Sequence, residues 1–369
     1  MAGNFVQLHN HTHYSLLDGA SKVPDLVKRV KELGMPAVGI TDHGNMHGAY
    51  ELWRAAVDSG VKPIIGIEAY VTPETARQDK TRVSWYTNWT PVPGHARNPD
   101  DVSGGGLITH LTMWAENDEG LVNLIKASSV ANLEGRVMRY PRMDKEVLST
   151  YSKGVIASSG CPSGIIQTRL RLGQFDEALR AAGEFQDIFG KDNFYIELMD
   201  HGLSIESKVT GDLLTIAKKL GAPLLATNDS HYVMEADKDA QDAMLCINSG
   251  ATLDDPNRFK FEGSGYYIKS AEEMRELFKD HPDACDNTLE IAERCNVIFD
   301  DHEDGAFMPQ FDCPEGWDET SLFLKKVEEG LEKRYDGNPP MEVLKQADYE
   351  CGVICQMQFC GYFLVVADY

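Results

Sequence analysis

The chain has no long hydrophobic run and no C-x-x-C cysteine pair. Its longest apolar stretch, residues 362–367, is far too short to cross a bilayer. No apolar segment follows a basic start, as it would in a signal peptide. The eight cysteines include no C-x-x-C pair, and most lie within apolar or helical patterns. These absences predict a cytoplasmic protein with reduced, buried thiols and no membrane partner.

Positive charge is also scarce. The chain has 35 Lys and Arg residues against 58 Asp and Glu residues, which gives a net charge of −23. This balance argues against a broad basic surface for double-stranded nucleic acid, although bound metal ions can supply local positive charge to a phosphate. The G-x-S-x-G motif of serine hydrolases and the G-x-x-x-x-G-K-[ST] loop of P-loop NTPases are both absent. Those two classes of enzyme therefore lose support.

Strand-like and helix-like segments alternate from residue 5 to residue 227. The predicted strands cover residues 5–9, 37–41, 63–69, 107–113, 155–159, 194–198 and 223–227. Helical spacing of apolar residues follows most of them, as in residues 23–33 and 175–189. Seven βα units with short turns predict an α/β fold with a parallel sheet. We expect this sheet to close into a barrel with one unit fewer than the common eight.

The connection between the third and fourth predicted strands, residues 72–106, is unusually long. It is rich in proline and ends in three glycines, so we expect an irregular inserted lid. Aromatic and basic residues mix in this loop: Trp85, Tyr86, Trp89, Arg77, Lys80, Arg82 and Arg97. Such a mixture can stack bases and hold backbone phosphate. Alternatively, the aromatic side chains pack the loop onto the barrel.

The pattern changes beyond about residue 280. Helices are predicted over residues 287–295, 321–334 and 342–357, with an acidic stretch at 300–316 that contains glycine and proline. The chain stops in the apolar segment GYFLVVADY, whereas the ends of domains are usually polar and exposed. We therefore expect the chain to be part of a longer protein.

Nine potential metal ligands lie at the ends of the predicted strands. They are His9, His11, Asp18, His43, Glu68, His110, Cys161, Asp229 and His231. Side chains at positions i and i+2 of a strand point the same way, so His9 with His11, and Asp229 with His231, can each aim two ligands at one point. In a parallel barrel the carboxyl ends of the strands meet at one rim, where we expect all nine to converge.

Nine ligands exceed the three or four that one ion needs, which predicts two or three divalent ions. The mixture of imidazole, carboxylate and thiol suits zinc first, with manganese or iron as alternatives, and suits magnesium and calcium poorly. Clustered ions of this kind indicate hydrolysis of a phosphate ester, because they activate water and bind phosphate oxygens. Alternatively, Cys161 is a nucleophile, since its SSGCPSG context can lower the pKa of a thiol.

The remaining histidines are assigned ordinary roles. Two of them, His13 and His47, are expected near the rim in supporting or surface positions. The others are His95, His201, His281 and His302. Because His201 follows the sixth predicted strand, a contact with the substrate is the alternative for that residue.

Several motifs resemble those of the PHP (polymerase and histidinol phosphatase) domain: LHNHTHYSLLDGA, GITDHGNMHG, GIEAYV, HLTMWA, SSGCPSG and TNDSHY. FEGSGYYIKSAEEM, IAERCNV and GYFLVVADY extend the resemblance, over essentially the whole chain, to bacterial DNA polymerase III alpha subunits, the C-family replicative polymerases. The resemblance implies a distorted (β/α)7 barrel, assigned to residues 1–285. A mainly helical and incomplete start of the polymerase palm would follow in residues 286–369.

The resemblance also implies which residues hold each ion. The first ion would be held by His9, His11, Glu68 and Asp229, the second by Asp18, His43 and His231, and the third by Glu68, His110 and Cys161. Because all nine positions are filled, the resemblance implies a catalytic site, a 3′→5′ exonuclease that proofreads a single-stranded 3′ end of DNA. The polymerase carboxylates would lie beyond residue 369, so this chain would not synthesise DNA. The longer protein would also contact a sliding clamp and a clamp loader.

Two other functions stay open. In one, the metals only stabilise the fold, and the surface recruits a separate proofreading subunit. Metal removal that lowers the melting temperature, with no nuclease activity under any metal, would favour this scaffold. In the other, the domain hydrolyses a small phosphomonoester, as histidinol phosphatase does. Assaying a phosphomonoester beside an oligonucleotide distinguishes these two substrates.

Overall fold

The computed structural model describes residues 5–85, 104–263, 265–300 and 310–369. It divides the chain into two compact units, Met1–Phe299 and Asp300–Tyr369. Several residues named in the sequence analysis lie outside the described residues: Tyr86, Trp89, His95, Arg97 and His302. The two units divide at residue 299, whereas the sequence placed the domain boundary at 285.

Strands and helices alternate through the described part of the first unit. The strands are β1 Ala37–Ile40, β2 Lys62–Val71, β3 Thr109–Ala115, β4 Arg142–Met143, β5 Val155–Ser158, β6 Phe194–Leu198 and β7 Leu224–Ala226. The helices are α1 Val23–Glu32, α2 Ala49–Ser59, α3 Asp118–Glu134, α4 Lys145–Thr150, α5 Ile165–Arg171, α6 Phe175–Phe189, α7 Ser204–Leu220, α8 Lys238–Ser249, α9 Ala271–Leu277 and α10 Pro282–Arg294. Six of the predicted strands are therefore present, and the short β4 was not predicted.

The sheet has the order β1-β2-β3-β5-β6-β7, with β4 paired to β2. Neighbours are parallel except at β3, which is antiparallel to both β2 and β5. The expectation of an entirely parallel sheet is therefore wrong at this strand. The reason lies in the connection, because Val71 at the end of β2 faces Thr109 at the start of β3. Within its described parts, no helix carries the chain back across the sheet, as a parallel pair requires.

The first predicted strand, residues 5–9, is not a regular strand. It joins the sheet through isolated bridges, from Gln7 to Val38 on one side and from Asn10 to Ser230 on the other. Since Val38 lies in β1 and Ser230 follows β7, this segment connects the two edges of the curled sheet. The α/β class and the distorted barrel are confirmed, with irregular backbone where the sequence predicted the first strand.

Apolar packing fixes which end of the barrel carries polar groups. Each helix presents an apolar face, and in α1 the inward side chains of Val23, Leu26, Val27 and Val30 are almost fully buried. A second cluster inside the barrel includes Ile64, Trp114 and residues of α10. The polar residues of the same strands, such as Glu68 further along β2, therefore collect beyond this apolar layer.

The second unit is helical in its described part, as predicted. Its helices are α11 Glu319–Arg334, α12 Met341–Gln356 and α13 Cys360–Asp368. A small apolar cluster holds them together: Leu322, Phe323, Cys351, Cys360 and Leu364. Among the described residues, no single helix has the length and apolar character of a membrane span, and only the pair α12 and α13, bent by 110°, meets both criteria together.

Candidate metal centre

The structure brings all nine predicted ligands to one place at the mouth of the barrel. Glu68 is at the centre and is fully buried. Its carboxylate lies 2.8 Å from Nδ1 of His43, 3.2 Å from Nδ1 of His110 and 3.5 Å from Nε2 of both His9 and His11. One carboxylate therefore faces four imidazole rings.

Two further carboxylates and a thiol surround this group. Asp229 Oδ1 lies 3.0 Å from His11 Nε2 and 3.4 Å from His9 Nε2. The carboxylate of Asp18 is 2.8 Å from His43 Nε2 and 3.8 Å from His231 Nε2. The sulfur of Cys161 is 3.3 Å from His110 Nδ1. None of the nine predicted residues is left outside the cluster.

The backbone positions of these residues differ in part from the prediction. His110 lies at the beginning of β3 and not at a strand end, and it reaches the rim because β3 runs in the reverse direction. Asp229 has a left-handed backbone with φ of 43°, so it does not share a regular strand with His231. Strain of this kind in a non-glycine residue is commonly found at functional sites. Gly160, with φ of 77°, supplies the turn that presents Cys161.

Three groups of ligand atoms are close enough to share an ion. They are His11 with His43 and His231, His9 with His11 and Asp229, and His43 with Glu68 and His110. The sets implied by the resemblance place Asp18 beside His43 and His231, and Cys161 beside Glu68 and His110. The assignment of ligands to individual ions therefore stays a prediction.

Cys161 and His110 hydrogen-bond to each other over 3.3 Å, but many of the other ligand atoms lie close together without an aligned hydrogen bond. Eight buried atoms have no hydrogen-bond partner: His9 Nε2, His11 Nε2, Asp18 Oδ1, His43 Nδ1, Glu68 Oε1, Glu68 Oε2, Asp229 Oδ1 and His231 Nε2. Leaving a buried polar atom unpaired costs about 1–3 kcal/mol, so a native protein rarely has many in one place. Nitrogen and carboxylate donors facing a common centre fit divalent cations.

Glu197 supports the site but was missed in the sequence. It lies on β6, is almost fully buried and accepts a hydrogen bond of 2.7 Å from His9 Nδ1. Ser158 and Thr227 also donate to its carboxylate. A neutral histidine that donates from one ring nitrogen keeps a lone pair on the other. The hydrogen bond to Glu197 therefore leaves Nε2 of His9 able to bind a metal ion. A single carboxylate in the otherwise apolar strand FYIEL was the available signal.

Two other histidines are held in the same way. Ser15 donates to Asp42 over 2.7 Å, so its oxygen is left to accept from His11 Nδ1 at 3.0 Å. His231 Nδ1 donates to the backbone oxygen of Asp229 over 2.8 Å. Both arrangements leave Nε2 free to bind an ion. Asp42, which is not among the nine predicted ligands, therefore orients a ligand through Ser15.

The electrostatics favour a bound cation. Burial raises the pKa of a carboxyl group, but the histidines reverse this, so the pKa values of Glu68, Asp18 and Asp229 all lie below their usual range. Burial, together with His43 and His231, lowers the pKa of His11 to about 3, which keeps this ring neutral at pH 7. Burial and the charge of Glu68 raise the pKa of the Cys161 thiol well above its usual value. A nucleophilic thiolate does not fit this environment, whereas a metal ion would favour deprotonation.

The other predicted residues have simpler roles where they are described. Trp85 is buried, and the guanidinium of Arg169 lies 4.7 Å from the centre of its ring, so this aromatic residue packs the loop onto the barrel. Both ring nitrogens of His201 bond to protein acceptors, Glu206 at 2.7 Å and the Asn228 carbonyl at 2.9 Å. His47 is exposed and is not among the clustered ligands.

This barrel and its cluster of imidazoles and carboxylates can be compared with known families. The PHP domain family matches residues 7–201, which is more than half of the 369 residues. The chain belongs to the PHP domain family. A second family, described as the bacterial DNA polymerase III alpha NTPase domain, matches residues 321–369.

The chain is also similar to named bacterial proteins over nearly its whole length. It is 50% identical over 366 residues to the DNA polymerase III subunit alpha of Mycobacterium leprae, covering 99% of this chain and 30% of that protein. It is 40% identical over 369 residues to the subunit of the same name from Borreliella burgdorferi, with the same two coverages. The chain thus spans about 30% of the length of these relatives.

Two solved structures are more distant. An amidohydrolase from Chromobacterium violaceum is 15% identical, with 62% of this chain and 87% of that chain covered and a TM-score of 0.35. A two-domain protein from Bacteroides vulgatus, containing a predicted PHP-like metal-dependent phosphoesterase, is 11% identical, with 79% and 69% covered and a TM-score of 0.33. Scores this low support no conclusion about this chain, whose fold is defined by its own strand pairing.

Proposed function

We propose that this chain is the N-terminal part of a bacterial DNA polymerase III alpha subunit, and that its barrel is a multi-metal 3′→5′ exonuclease. The proposed substrate is a single-stranded 3′ end of DNA, and the proposed reaction is hydrolysis of its terminal phosphodiester during proofreading. Two or three divalent ions would be bound, with zinc first and manganese or iron as alternatives. The nine residues of the cluster would hold them.

One observation carries this proposal, namely the eight unpaired ligand atoms that face a common centre. A histidine-rich structural core would pair these atoms with one another, because each unmet hydrogen bond is costly. Here Nε2 of His11 lies 3.5 Å from the Glu68 carboxylate, and neither atom has a hydrogen-bond partner. Such an arrangement is stabilised when cations accept the lone pairs.

The chain's own residues prepare the site for this chemistry. Glu197 and the Ser15–Asp42 pair hold His9 and His11 with Nε2 turned inward. When ions are bound they activate water and neutralise phosphate oxygens. They would also provide the positive charge that a chain of net charge −23 otherwise lacks for a polyanion. Binding of DNA by this chain should therefore depend on the metal.

The test combines metal analysis with a nuclease assay on the purified chain. We expect bound zinc, manganese or iron, and stepwise loss of nucleotides from a 5′-labelled single-stranded oligonucleotide. His11→Ala should abolish cleavage and reduce the bound metal, because His11 is close to both Glu68 and Asp229. His47→Ala, a change at an exposed histidine, is the matched control and should retain both properties.

Other outcomes would point elsewhere. Equal activity in metal-free protein and in His11→Ala would contradict the proposal. A lower melting temperature after metal removal, together with no nuclease activity in the presence of any added metal, would favour the scaffold function. Hydrolysis of a phosphomonoester in place of the oligonucleotide would favour the phosphatase function. For the longer protein, we propose a cytoplasmic replicase subunit with DNA, a sliding clamp and a clamp loader as partners.

A further inference from the structure

A cleft opens directly beside the metal centre. Its volume is about 520 Å³, and Cys161 and Asp229 lie in its wall. The opposite wall is the loop of residues 256–262, which joins α8 to α9. This volume lies in the range of small-ligand sites and is sufficient for one nucleotide. A molecule in the cleft would contact the proposed ion ligands at one end.

Two phenylalanines of this loop differ in how they are held. The ring of Phe261 contacts His231 edge-on, with 4.6 Å between ring centres, and lies 4.9 Å from Tyr266. Tyr266 in turn stacks on the ring of His201, with 4.0 Å between ring centres. Phe259 lies 6.0 Å from Phe261 and is 61% exposed, so it packs only partly against the protein. An exposed aromatic side chain beside a fixed one provides a stacking surface for a planar ring.

Of the charged residues that line the cleft, Arg258 and Glu206 are held by other residues, whereas Lys260 and Glu262 are exposed. Both terminal nitrogens of Arg258 bond to Asp242 on α8, which fixes the loop. Glu206 also lines the cleft, but its carboxylate is taken up by hydrogen bonds from His201. Lys260 is exposed and lies between the two phenylalanines in sequence. Because Lys260 is among the residues that line the cleft, its ammonium group can meet an anion that enters there.

We propose that this cleft binds the terminal nucleotide of the DNA strand, with its base stacked on Phe259 and Phe261 and a backbone phosphate near Lys260. This inference rests on the proposed function and adds where the strand end is recognised. Base stacking on an aromatic side chain tolerates any sequence, as removal of an arbitrary mismatched nucleotide requires. The cleft residues would thus contribute to substrate binding independently of the metal ions.

The experiment compares two single-stranded oligonucleotides in the metal-loaded chain, one with a normal 3′ nucleotide and one with a 3′ abasic residue. We expect wild-type protein to prefer the normal end by about 5- to 100-fold, mainly through KM. Phe259→Ala should remove most of this preference. Phe259→Trp keeps an aromatic ring at this position and should retain the preference. Leu253→Ala changes an exposed residue between α8 and this loop that does not line the cleft, and it should leave the preference unchanged.

Lys260→Ala should raise KM for both oligonucleotides equally, because a phosphate contact does not depend on the base. Lys126→Ala, at an exposed position on α3, is the control and should leave KM unchanged. A Phe259→Ala variant that keeps the wild-type preference for the normal end would overturn the inference, while the proposed nuclease would stand.

A wild-type chain that cleaves no DNA would defeat the proposed function instead. Calorimetric titration with dAMP then tests the cleft alone. Weaker dAMP binding by Phe259→Ala than by the wild-type protein would support the cleft as a nucleotide-binding site. Equal binding by both proteins, or no binding by either, would overturn it.

Discussion

Replacing Glu197 by glutamine should weaken metal binding without unfolding the barrel. The two side chains have nearly the same shape, and the glutamine oxygen can still accept the hydrogen bond that His9 Nδ1 donates over 2.7 Å. What disappears is the negative charge, and hydrogen bonds to charged groups are roughly twice as strong as neutral ones. Loss of such supporting partners typically costs about 10- to 100-fold in metal affinity, which corresponds to about 1.4–2.7 kcal/mol.

Replacing Glu197 by alanine should be more severe and should affect folding itself. His9, Ser158 and Thr227 would all lose their acceptor in a buried environment. At about 1–3 kcal/mol for each unmet donor, partly relieved by rotation of the hydroxyl groups, we expect a loss of about 3–6 kcal/mol in the free energy of unfolding. The comparison of the two variants therefore separates the effect of Glu197 on the metal affinity of His9 from its effect on the stability of the fold.

The assay is competitive titration of the metal-free protein with zinc in the presence of a chelating indicator, alongside urea unfolding. Glu206→Gln is the matched control, because Glu206 is also buried and bonds to a histidine at 2.7 Å, but that histidine is not a predicted ligand. It should leave zinc affinity unchanged. Wild-type zinc affinity in Glu197→Gln would refute the conclusion that Glu197 sets His9 up as a ligand.

Three further predictions address other parts of the molecule. Cys161→Ser should weaken zinc binding more than manganese binding in parallel titrations, because thiolate prefers the softer ion. Chelation of the metals should lower the melting temperature, since an ion present at 100 times its Kd adds about 2.7 kcal/mol of stability. Burial lowers the pKa of Lys269 from 10.5 to about 8, so the folded protein binds fewer protons than the unfolded chain between these values. Its contribution to stability should rise with pH across that window, and Lys269→Met should flatten this part of the profile of urea unfolding against pH.

The convergence of the ligands could be predicted from the sequence because strand ends of one sheet meet at one edge. This argument needed only the approximate positions of the strands, so it placed Glu68 and His43 correctly despite errors of a few residues at strand boundaries. It also tolerated irregular backbone at His9 and Asp229, where the side chains converge without regular strand geometry. Which residues belong to the cluster was predictable, whereas which ligand serves which ion depends on ångström-scale distances.

The direction of β3 and the role of Glu197 could not be predicted in this way. Alternating apolar residues in HLTMWA indicate a strand but are the same for either direction. Direction is set by the path of the preceding connection, which lacks a recognisable pattern. Glu197 was overlooked because a carboxylate that supports a histidine carries no spacing motif, and only its burial against His9 reveals its role.

The reversal of β3 has a consequence for how such barrels can diversify. Because Val71 and Thr109 are partners, the chain leaves the sheet and returns to it at neighbouring points, both next to Glu68 and His110. Additional sequence between these two positions would leave the pairing of β2 with β3 unchanged. An insertion of any length would then begin and end beside the cluster of predicted metal ligands, which makes this junction a natural place for evolution, or an engineer, to add a new specificity element.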